Sequence, residues 1–250
     1  YRGILKDLTI MSDMFMRNVL KKRECTEYVL QVVMDKKDLT VIDQVLQKDY
    51  KNLQGRSSIL DCVARDSEGR QMNVEIQQEN EGASPKRARY HSGLMDMNTL
   101  NPGQDFDELP ESYMIFITRD DVLGYELPIY HIDRTIKEVK DDFMDEAHII
   151  YVNARRQDDT ELGRLMHDLH CKNAKDMYSK VLADLSLPAD LKAHLEEHIA
   201  DHSALLANGL TALQHWTANM KFHLLLFSSY DNQLWRSSTY PQFQEALQIS

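Results

Sequence analysis

The chain has 250 residues, of which 42% are hydrophobic, so it is long enough to bury a sizeable core. Its 40 acidic and 29 basic residues give a formal net charge of −11, which excludes a mainly basic coat protein for nucleic acid but leaves room for a local basic groove. No stretch approaches about 18 uninterrupted apolar residues, which predicts no membrane span. Three cysteines without a CxxC pair favour a reducing, cytoplasmic setting.

The first part of the chain predicts a helix, a linker, a hairpin and a second helix. In chain order these are a helix over 12–34, a linker over 48–56 (KDYKNLQGR), two short strands within 58–78 and a helix from Pro85 to 101–103. Ser12 is the predicted N-cap of the first helix. Ser84 caps the second helix, which has a proline at its first position and Asn-Pro-Gly after its end.

The second part predicts three strands and then only helices. The strands are expected over 112–120, 127–133 and 148–154, and the helices over 159–185 and from Pro188 to about 207. This order predicts an α/β or α+β core over residues 1–157 and a helical C-terminal extension over 158–250.

The hairpin has a predicted register. If its turn centres on Ser67-Glu68-Gly69, the residue numbers of the two partners have the same sum in every cross-strand pair. Side chains then alternate between the two faces of the hairpin. One face is then wholly apolar, with the pairs Leu60–Ile76, Cys62–Val74 and Ala64–Met72. This face is expected to pack on the core, with Cys62 as a buried residue and not a nucleophile.

The opposite face of the hairpin places two carboxylates side by side. Asp61 and Glu75 are predicted cross-strand partners with Cβ atoms roughly 5 Å apart, where like charges are destabilising. A shared proton or a bound divalent cation relieves this repulsion, and oxygen ligands suit Mg²⁺, with Mn²⁺ as the alternative. Gln77 projects from the same face and could orient a water molecule or contact a phosphate. The competing interpretation is a solvent-facing polar edge whose acids are merely exposed.

The pattern D-x13-E-x-Q on a hairpin, followed by a helix with KRARYHSGL, resembles the PD-(D/E)XK nuclease superfamily. More narrowly, the segments LKDLTIMSDMFMRNVL, GRSSILDCVARDSEGRQMNVEIQQ and ARYHSGLMDMNTLNPGQDFDELPESYMIFIT are similar to the bacterial recombination-promoting nuclease and transposase family. The likeness covers about Tyr1 to Tyr178. It implies a restriction-endonuclease-like core, in which helices flank a mixed central sheet.

The resemblance also implies a Mg²⁺-dependent DNA endonuclease that hydrolyses phosphodiester bonds with a metal-activated water. Asp61 and Glu75 would be metal ligands, with Asp13 on the first helix as a further acidic ligand or, alternatively, a capping-turn carboxylate. Gln77 occupies the position where most of the superfamily has lysine, and its neutral amide cannot supply the positive charge of that lysine. The alternative is a catalytically degenerate nuclease fold that serves as a DNA-binding or protein-interaction module.

The helix from Pro85 opens with a basic run that predicts contacts to the DNA backbone. Lys86, Arg87 and Arg89 are the candidate phosphate contacts, and Tyr90 could stack or hydrogen-bond. A solvated helix face is the competing interpretation. The sequence leaves the oligomeric state open, a dimer included.

Two histidine-rich strings contain residue types that can bind zinc. HLEEH, from His194 to His198, matches the H-x-x-E-H string, and His202 follows at the next helical step. HDLHC, from His167 to Cys171, has ligand residue types but no CxxC partner. Because short motif matches are common, a solvated or partly buried histidine face is favoured for the first and helix surface for the second.

Overall fold

The structure is a computed structural model that describes residues 9–11, 16, 19–52, 55–78 and 80–185. Within this part of the chain, no helix is both long enough and apolar enough to cross a bilayer. Asp13, the helix predicted from Pro188 and the histidines of HLEEH lie outside the described residues. The division into residues 1–157 and 158–250 stays a prediction.

Four α-helices and eight strands are defined in the described residues. The helices are α1 (Arg23–Val33), α2 (Pro85–Met97), α3 (Glu161–His170) and α4 (Lys180–Leu185). The strands are β1 (Val41–Tyr50), β2 (Ser58–Asp66), β3 (Gln71–Gln77), β4 (Ser112–Thr118), β5 (Ile129–Ile132), β6 (Thr135–Ile136), β7 (Asp141–Asp142) and β8 (Ala147–Asn153).

Six strands form one mixed sheet in the order β1-β2-β3-β4-β8-β5. Neighbours from β1 to β3 are antiparallel, β3, β4 and β8 run parallel, and β5 is antiparallel to β8. β6 and β7 pair separately as a small hairpin. With helices packed on it, this sheet confirms the predicted α/β class and the restriction-endonuclease-like core.

Both faces of the sheet are buried, which explains why β3 and β4 are almost continuously inaccessible to solvent. One face packs against α1, α3 and α4 in a cluster that includes Cys62, Val74, Ile115, Leu30 and Leu165. The other face packs against α2 in a second cluster that includes Val63, Met114, Phe116, Ala88 and Leu94. Any polar residue that points from β3 toward α2 is therefore held away from water.

The strand β1 is the main element that the sequence analysis missed. The segment 48–56 was predicted to be a linker, but its first three residues complete β1. β1 is an edge strand with mixed burial, and its sequence VIDQVLQKDY mixes apolar and charged residues without regular alternation. Edge strands need no continuous apolar pattern because one side meets solvent, so periodicity alone did not mark this strand. The three later strands are confirmed to within two residues at each end.

Helix boundaries differ from the prediction in three places. The first helix is interrupted at Lys21 and Lys22, where the backbone becomes extended before α1 begins. The helix α2 ends at Met97, earlier than predicted, because the side chains of Asn98 and Thr99 donate to carbonyl groups of its last turn at 2.8 Å. The long helix predicted over 159–185 is instead two helices, α3 and α4, separated by nine residues of chain.

Candidate active site

The hairpin of β2 and β3 has the predicted register. Cys62 pairs with Val74 and Ala64 with Met72, so the partner numbers sum as expected from a turn at 67–69. Continuing this register brings Asp61 beside Glu75. The two residues meet directly, since the backbone N–H of Asp61 donates to Oε1 of Glu75 at 3.2 Å.

Side-chain alternation breaks at Asp61, which corrects one part of the predicted face. Leu60 packs in the cluster on the α2 side with Tyr50, whereas Cys62 packs in the cluster on the α1 side. The break coincides with Gln47 on the neighbouring strand, whose φ of 51° lies in the left-handed region. The side chain of Gln47 donates to Oδ1 of Asp61 at 3.1 Å, so the irregularity orients this carboxylate.

Glu75 lies at the centre of the site and has no exposed surface. Its Oε1 accepts hydrogen bonds from Asp61 and from Nδ2 of Asn73 at 2.9 Å. Its Oε2 accepts from Nε2 of Gln77 at 3.3 Å. A solvent-facing polar edge is therefore wrong for Glu75, because α2 covers this face of the sheet.

The environment of Glu75 opposes its ionisation. Burial raises the pKa of its carboxyl from 4.5 to about 8, and the negative charge of Asp61 adds to the effect. Hydrogen bonds from Asn73 and Asp61 and the charge of Arg87 lower the pKa, but by less. A buried acid of this kind needs either a proton or a nearby cation.

The helix α2 contributes two basic side chains to the same carboxylate. Nη2 of Arg87 lies 3.9 Å from Oε2 of Glu75, and Nδ1 of His91 lies 3.9 Å from Oε1. His91 is almost wholly buried, and its Nε2 is within 2.9 Å of Oγ of Ser58. Burial, followed by the charges of Arg87 and Arg56, lowers the pKa of His91 to about 4, so its imidazole is neutral near pH 7. Its Nδ1 has no hydrogen-bond partner within the described part of the chain.

A glycine beside the strand end leaves room for Gln77. Gly82 lies in the short turn before α2, and a Cβ atom added there would overlap Oε1 of the Gln77 side chain. The Gln77 amide is thereby confined between this turn and Glu75. A larger residue at position 82 would force Gln77 to move.

The donor set fits a hard divalent cation. Asp61 and Glu75 offer carboxylate oxygens, and a dication would offset the unfavourable charge that raises the pKa of Glu75. Oδ1 of Asn73 is a further oxygen in the site, buried and without a hydrogen-bond partner among the described residues. These observations agree with oxygen ligation of Mg²⁺ or Mn²⁺.

The predicted DNA contacts divide between two sides of α2. Lys86 and Arg89 are exposed, whereas Arg87 is half-buried and points toward Glu75. Tyr90 is 40% exposed, and its hydroxyl donates to the carbonyl of Arg56 and accepts from Nδ2 of Asn52. Tyr90 therefore packs against the segment before β2, and only its ring is available for a ligand.

The HDLHC string was predicted to be helix surface, and this prediction is wrong for its central residue, Asp168. Asp168 is fully buried, and its two oxygens accept from the backbone N–H groups of Tyr178 and Ser179 just before α4. Ligand atoms of His167, Asp168 and Cys171 lie within 4.8 Å of one another. The carboxylate of Asp168 therefore has a structural role, because it accepts hydrogen bonds from the backbone of the segment that links α3 to α4.

The prediction that Cys62 is a buried core residue is confirmed. It is inaccessible to solvent, and burial is the main reason that the pKa of its thiol is raised to about 12.

Three residues of the site received no role in the sequence analysis. Asn73 lies two residues before Glu75, and strand alternation places it on the same face of the hairpin. His91 follows Arg87 by one helical turn, and this spacing could have placed both on one face of α2. Nothing in the local sequence marks Gly82, because its importance comes from a contact with another element.

A sheet of this order, with a buried and a half-buried acid at the hairpin and a basic helix against them, is typical of a nuclease-type core. The family model of the PD-(D/E)XK nuclease family transposases matches residues 25–169, which is more than half of the chain. The chain belongs to this family. Membership supports a nuclease-type function, with DNA as the substrate class and a divalent metal as the usual cofactor of such nucleases. No curated protein and no solved structure matches the chain significantly.

Proposed function

We propose that this protein is a Mg²⁺-dependent DNA endonuclease of the recombination-promoting or transposase-associated type. The observation that carries the proposal is the buried carboxylate of Glu75, which contacts Asp61 and faces the guanidinium of Arg87 and the neutral imidazole of His91. A buried acid with a raised pKa beside a second acid is typical of a functional site and costly in a purely structural one. Family membership and three free cysteines support a nuclease that works in the reducing cytoplasm.

In the proposed site, Asp61 and Glu75 hold the metal, with Asp13 as a further candidate ligand. When bound, the metal would polarise the phosphodiester and lower the pKa of a water molecule. Asn73 and Gln77 hold the carboxylate of Glu75 in one orientation through its two oxygens. Gln47 does the same for Asp61. These contacts keep the acids preorganised, which reduces the cost of reorganisation during the reaction.

The exposed side of α2 supplies contacts to the DNA backbone. Lys86 and Arg89 extend into solvent near the first turns of the helix, with Tyr90 between them and the segment before β2. The N-terminus of α2 is capped by Ser84 and carries the positive end of the helix dipole, which favours a phosphate nearby. Binding through these groups would position the duplex without reading its sequence.

A plasmid-nicking assay with purified protein and Mg²⁺ tests the proposal. We expect Asp61→Ala and Glu75→Gln each to reduce cleavage by about 100-fold or more, because each removes a metal ligand. Asp43→Ala is the matched control, since Asp43 is an exposed acid on the neighbouring strand β1. Cleavage by wild type and Asp61→Ala at equal rates would reject the assignment.

A catalytically degenerate fold that binds DNA or protein is the second candidate. One observation favours it, namely that Gln77 has a neutral amide in the usual lysine position and already donates to Glu75. Titration calorimetry separates the two candidates. A nuclease should bind Mg²⁺ or Mn²⁺ and lose this binding in Glu75→Gln, whereas a degenerate fold should give no metal heat in either protein.

A further inference from the structure

The site has no cationic side chain at the strand position that a lysine usually occupies. Gln77 ends β3 there, and both ends of its amide are engaged, with Nε2 on Glu75 and Oε1 against Gly82. A phosphodiester gains negative charge on its non-bridging oxygens as water attacks, and a cation at this point stabilises that charge. If the protein cleaves DNA, the positive charge that the lysine usually supplies beside the metal has to come from another element of the chain.

Arg87 is placed to supply that charge. Its Nη2 lies 3.9 Å from Oε2 of Glu75, the oxygen that also accepts the hydrogen bond from Gln77. The Arg87 side chain is 39% exposed while that of Glu75 is 1% exposed, so the guanidinium spans from the solvent-facing rim to the buried carboxylate. Two different elements, the end of β3 and the first turn of α2, thus converge on a single oxygen atom.

The guanidinium of Arg87 still has donors to offer. A separation of 3.9 Å is too long for a hydrogen bond, so the contact with Glu75 is a charge contact alone. Its N–H groups make no hydrogen bond to another residue in the described part of the chain. Since a guanidinium carries five donors in a planar fork, it can bind two oxygens of a phosphate at once.

Arg87 differs in this respect from its basic neighbours. It shares one face of α2 with His91, one turn later, and this face packs toward the sheet. Lys86 and Arg89 are exposed and lie outside this face. The sequence predicted the same role for Arg87 and Arg89, as contacts to the DNA backbone. Their different positions on α2 indicate different roles.

We propose that Arg87 is a catalytic residue whose guanidinium contacts the scissile phosphate in place of the lysine. This inference rests on the proposed nuclease function. In the hydrolysis, the water oxygen forms a new P–O bond and the ester P–O bond breaks. One water proton ends on the leaving alkoxide, and the other remains with the new phosphate monoester until it ionises. Arg87 gives up no proton, because a guanidinium stays charged throughout, and acts only by stabilising the added negative charge.

The test compares Arg87→Gln with Arg65→Gln as the matched control, because Arg65 is an exposed arginine at the turn end of β2. Cleavage of a DNA duplex with Mg²⁺ gives kcat and KM, and binding of the same duplex without Mg²⁺ gives Kd. For Arg87→Gln we expect kcat to fall by about 100-fold with a change in Kd of less than about 10-fold. For Arg65→Gln we expect kcat and Kd close to those of wild type, whereas Arg89→Gln should weaken Kd. Arg87→Lys should retain part of kcat because it keeps the charge without the planar fork.

A second-site rescue makes the test specific for charge. Gln77→Lys restores a cation at the end of β3, so the double variant Gln77→Lys/Arg87→Gln should regain at least about 10-fold of the lost kcat. A loss of kcat caused by misfolding would show in thermal unfolding and would not be rescued. A wild-type protein that cleaves DNA but whose Arg87→Gln variant changes only Kd would overturn this inference alone. A wild-type protein without cleavage would overturn the proposed function and this inference with it.

Discussion

At the scale of single residues, Glu75 couples the candidate site to the stability of the fold. The pKa of its carboxyl is raised from 4.5 to about 8, so the folded protein holds a proton that the unfolded chain has lost between these two values. The contribution of Glu75 to the free energy of unfolding is therefore full below about pH 4.5 and is lost as the pH rises through 8. The same burial that positions the acid makes it costly to ionise.

This linkage predicts the effect of Glu75→Gln on stability. At about pH 8.5 without metal, the variant should unfold with a free energy higher than that of wild type by ~1–3 kcal/mol, because glutamine avoids the buried charge. Near pH 5 the gain should vanish, since wild-type Glu75 is then protonated. Denaturant unfolding at the two pH values measures the difference. Mg²⁺ should stabilise wild type at the higher pH and leave the variant unchanged.

An equal stability difference at both pH values would contradict this account of Glu75. It would mean that the carboxylate is ionised in the folded protein at both values, or protonated at both. Glu68→Gln serves as the control for replacing a glutamate of the same hairpin, because the Glu68 side chain is largely exposed.

Gly82 gives a second prediction at this scale. Gly82→Ala should reduce kcat for DNA cleavage by about 10-fold, because the new Cβ would displace the Gln77 amide from Glu75. In a Gln77→Ala background, the added Gly82→Ala change should cost almost nothing further, since the displaced side chain is already absent. Rates of the two single variants and the double variant measure this coupling. Additive losses would show that Gly82 acts on something other than Gln77.

At the scale of elements, the turn between β2 and β3 is fixed by a buried ion pair. Asp66 is fully buried, its Oδ2 lies 2.6 Å from Nε of Arg70, and its Oδ1 accepts from the N–H groups of Glu68 and Arg70. Gly69 has a φ of 87°, a conformation that side chains of other residues disfavour. Together these features set the turn, and the turn sets which residue faces Glu75.

Removing the acid of this pair should be strongly destabilising. We expect Asp66→Ala to lower the free energy of unfolding by ~3–5 kcal/mol, because it leaves the nearly buried charge of Arg70 without its main partner. Asp66→Asn should cost less, since an amide oxygen can still accept from the turn. Urea unfolding measures both variants, and a loss below about 1 kcal/mol for Asp66→Ala would contradict the role given to this pair.

The register of the hairpin was predictable because a Gly-containing turn and the alternation of side chains from Cys62 to Val74 both determine it, and the positions of Asp61, Glu75 and Gln77 follow from that register. The change of face at Asp61 was not predictable from the sequence, because it depends on Gln47, which lies in a strand without a clear apolar period. The contacts of Arg87 and His91 with Glu75 depend on the docking of α2, and no local pattern determines how a helix packs on a sheet.

At the scale of the whole molecule, the charge distribution limits how the protein can hold DNA. The formal net charge is −11, so the overall field repels a duplex. In the proposed mode of binding, attraction comes from the cations at the start of α2 and from the metal when it is bound. A single small basic surface binds DNA with a shallow dependence on salt, because it releases few counterions.

This limit gives a quantitative prediction for binding without Mg²⁺. If Lys86, Arg87 and Arg89 make the phosphate contacts, a plot of log K against log salt concentration should have a slope of about −3, with each contact contributing ~0.9. Arg89→Gln should reduce the slope by about 1. The control Lys37→Gln should leave it unchanged, because Lys37 is exposed and its ammonium pairs with Glu161 at the start of α3. Fluorescence anisotropy of a labelled duplex over a salt series measures these slopes. A slope of about −6 or steeper, or one that Arg89→Gln does not change, would place the main DNA contacts away from α2, because a surface of three cations cannot release that many counterions.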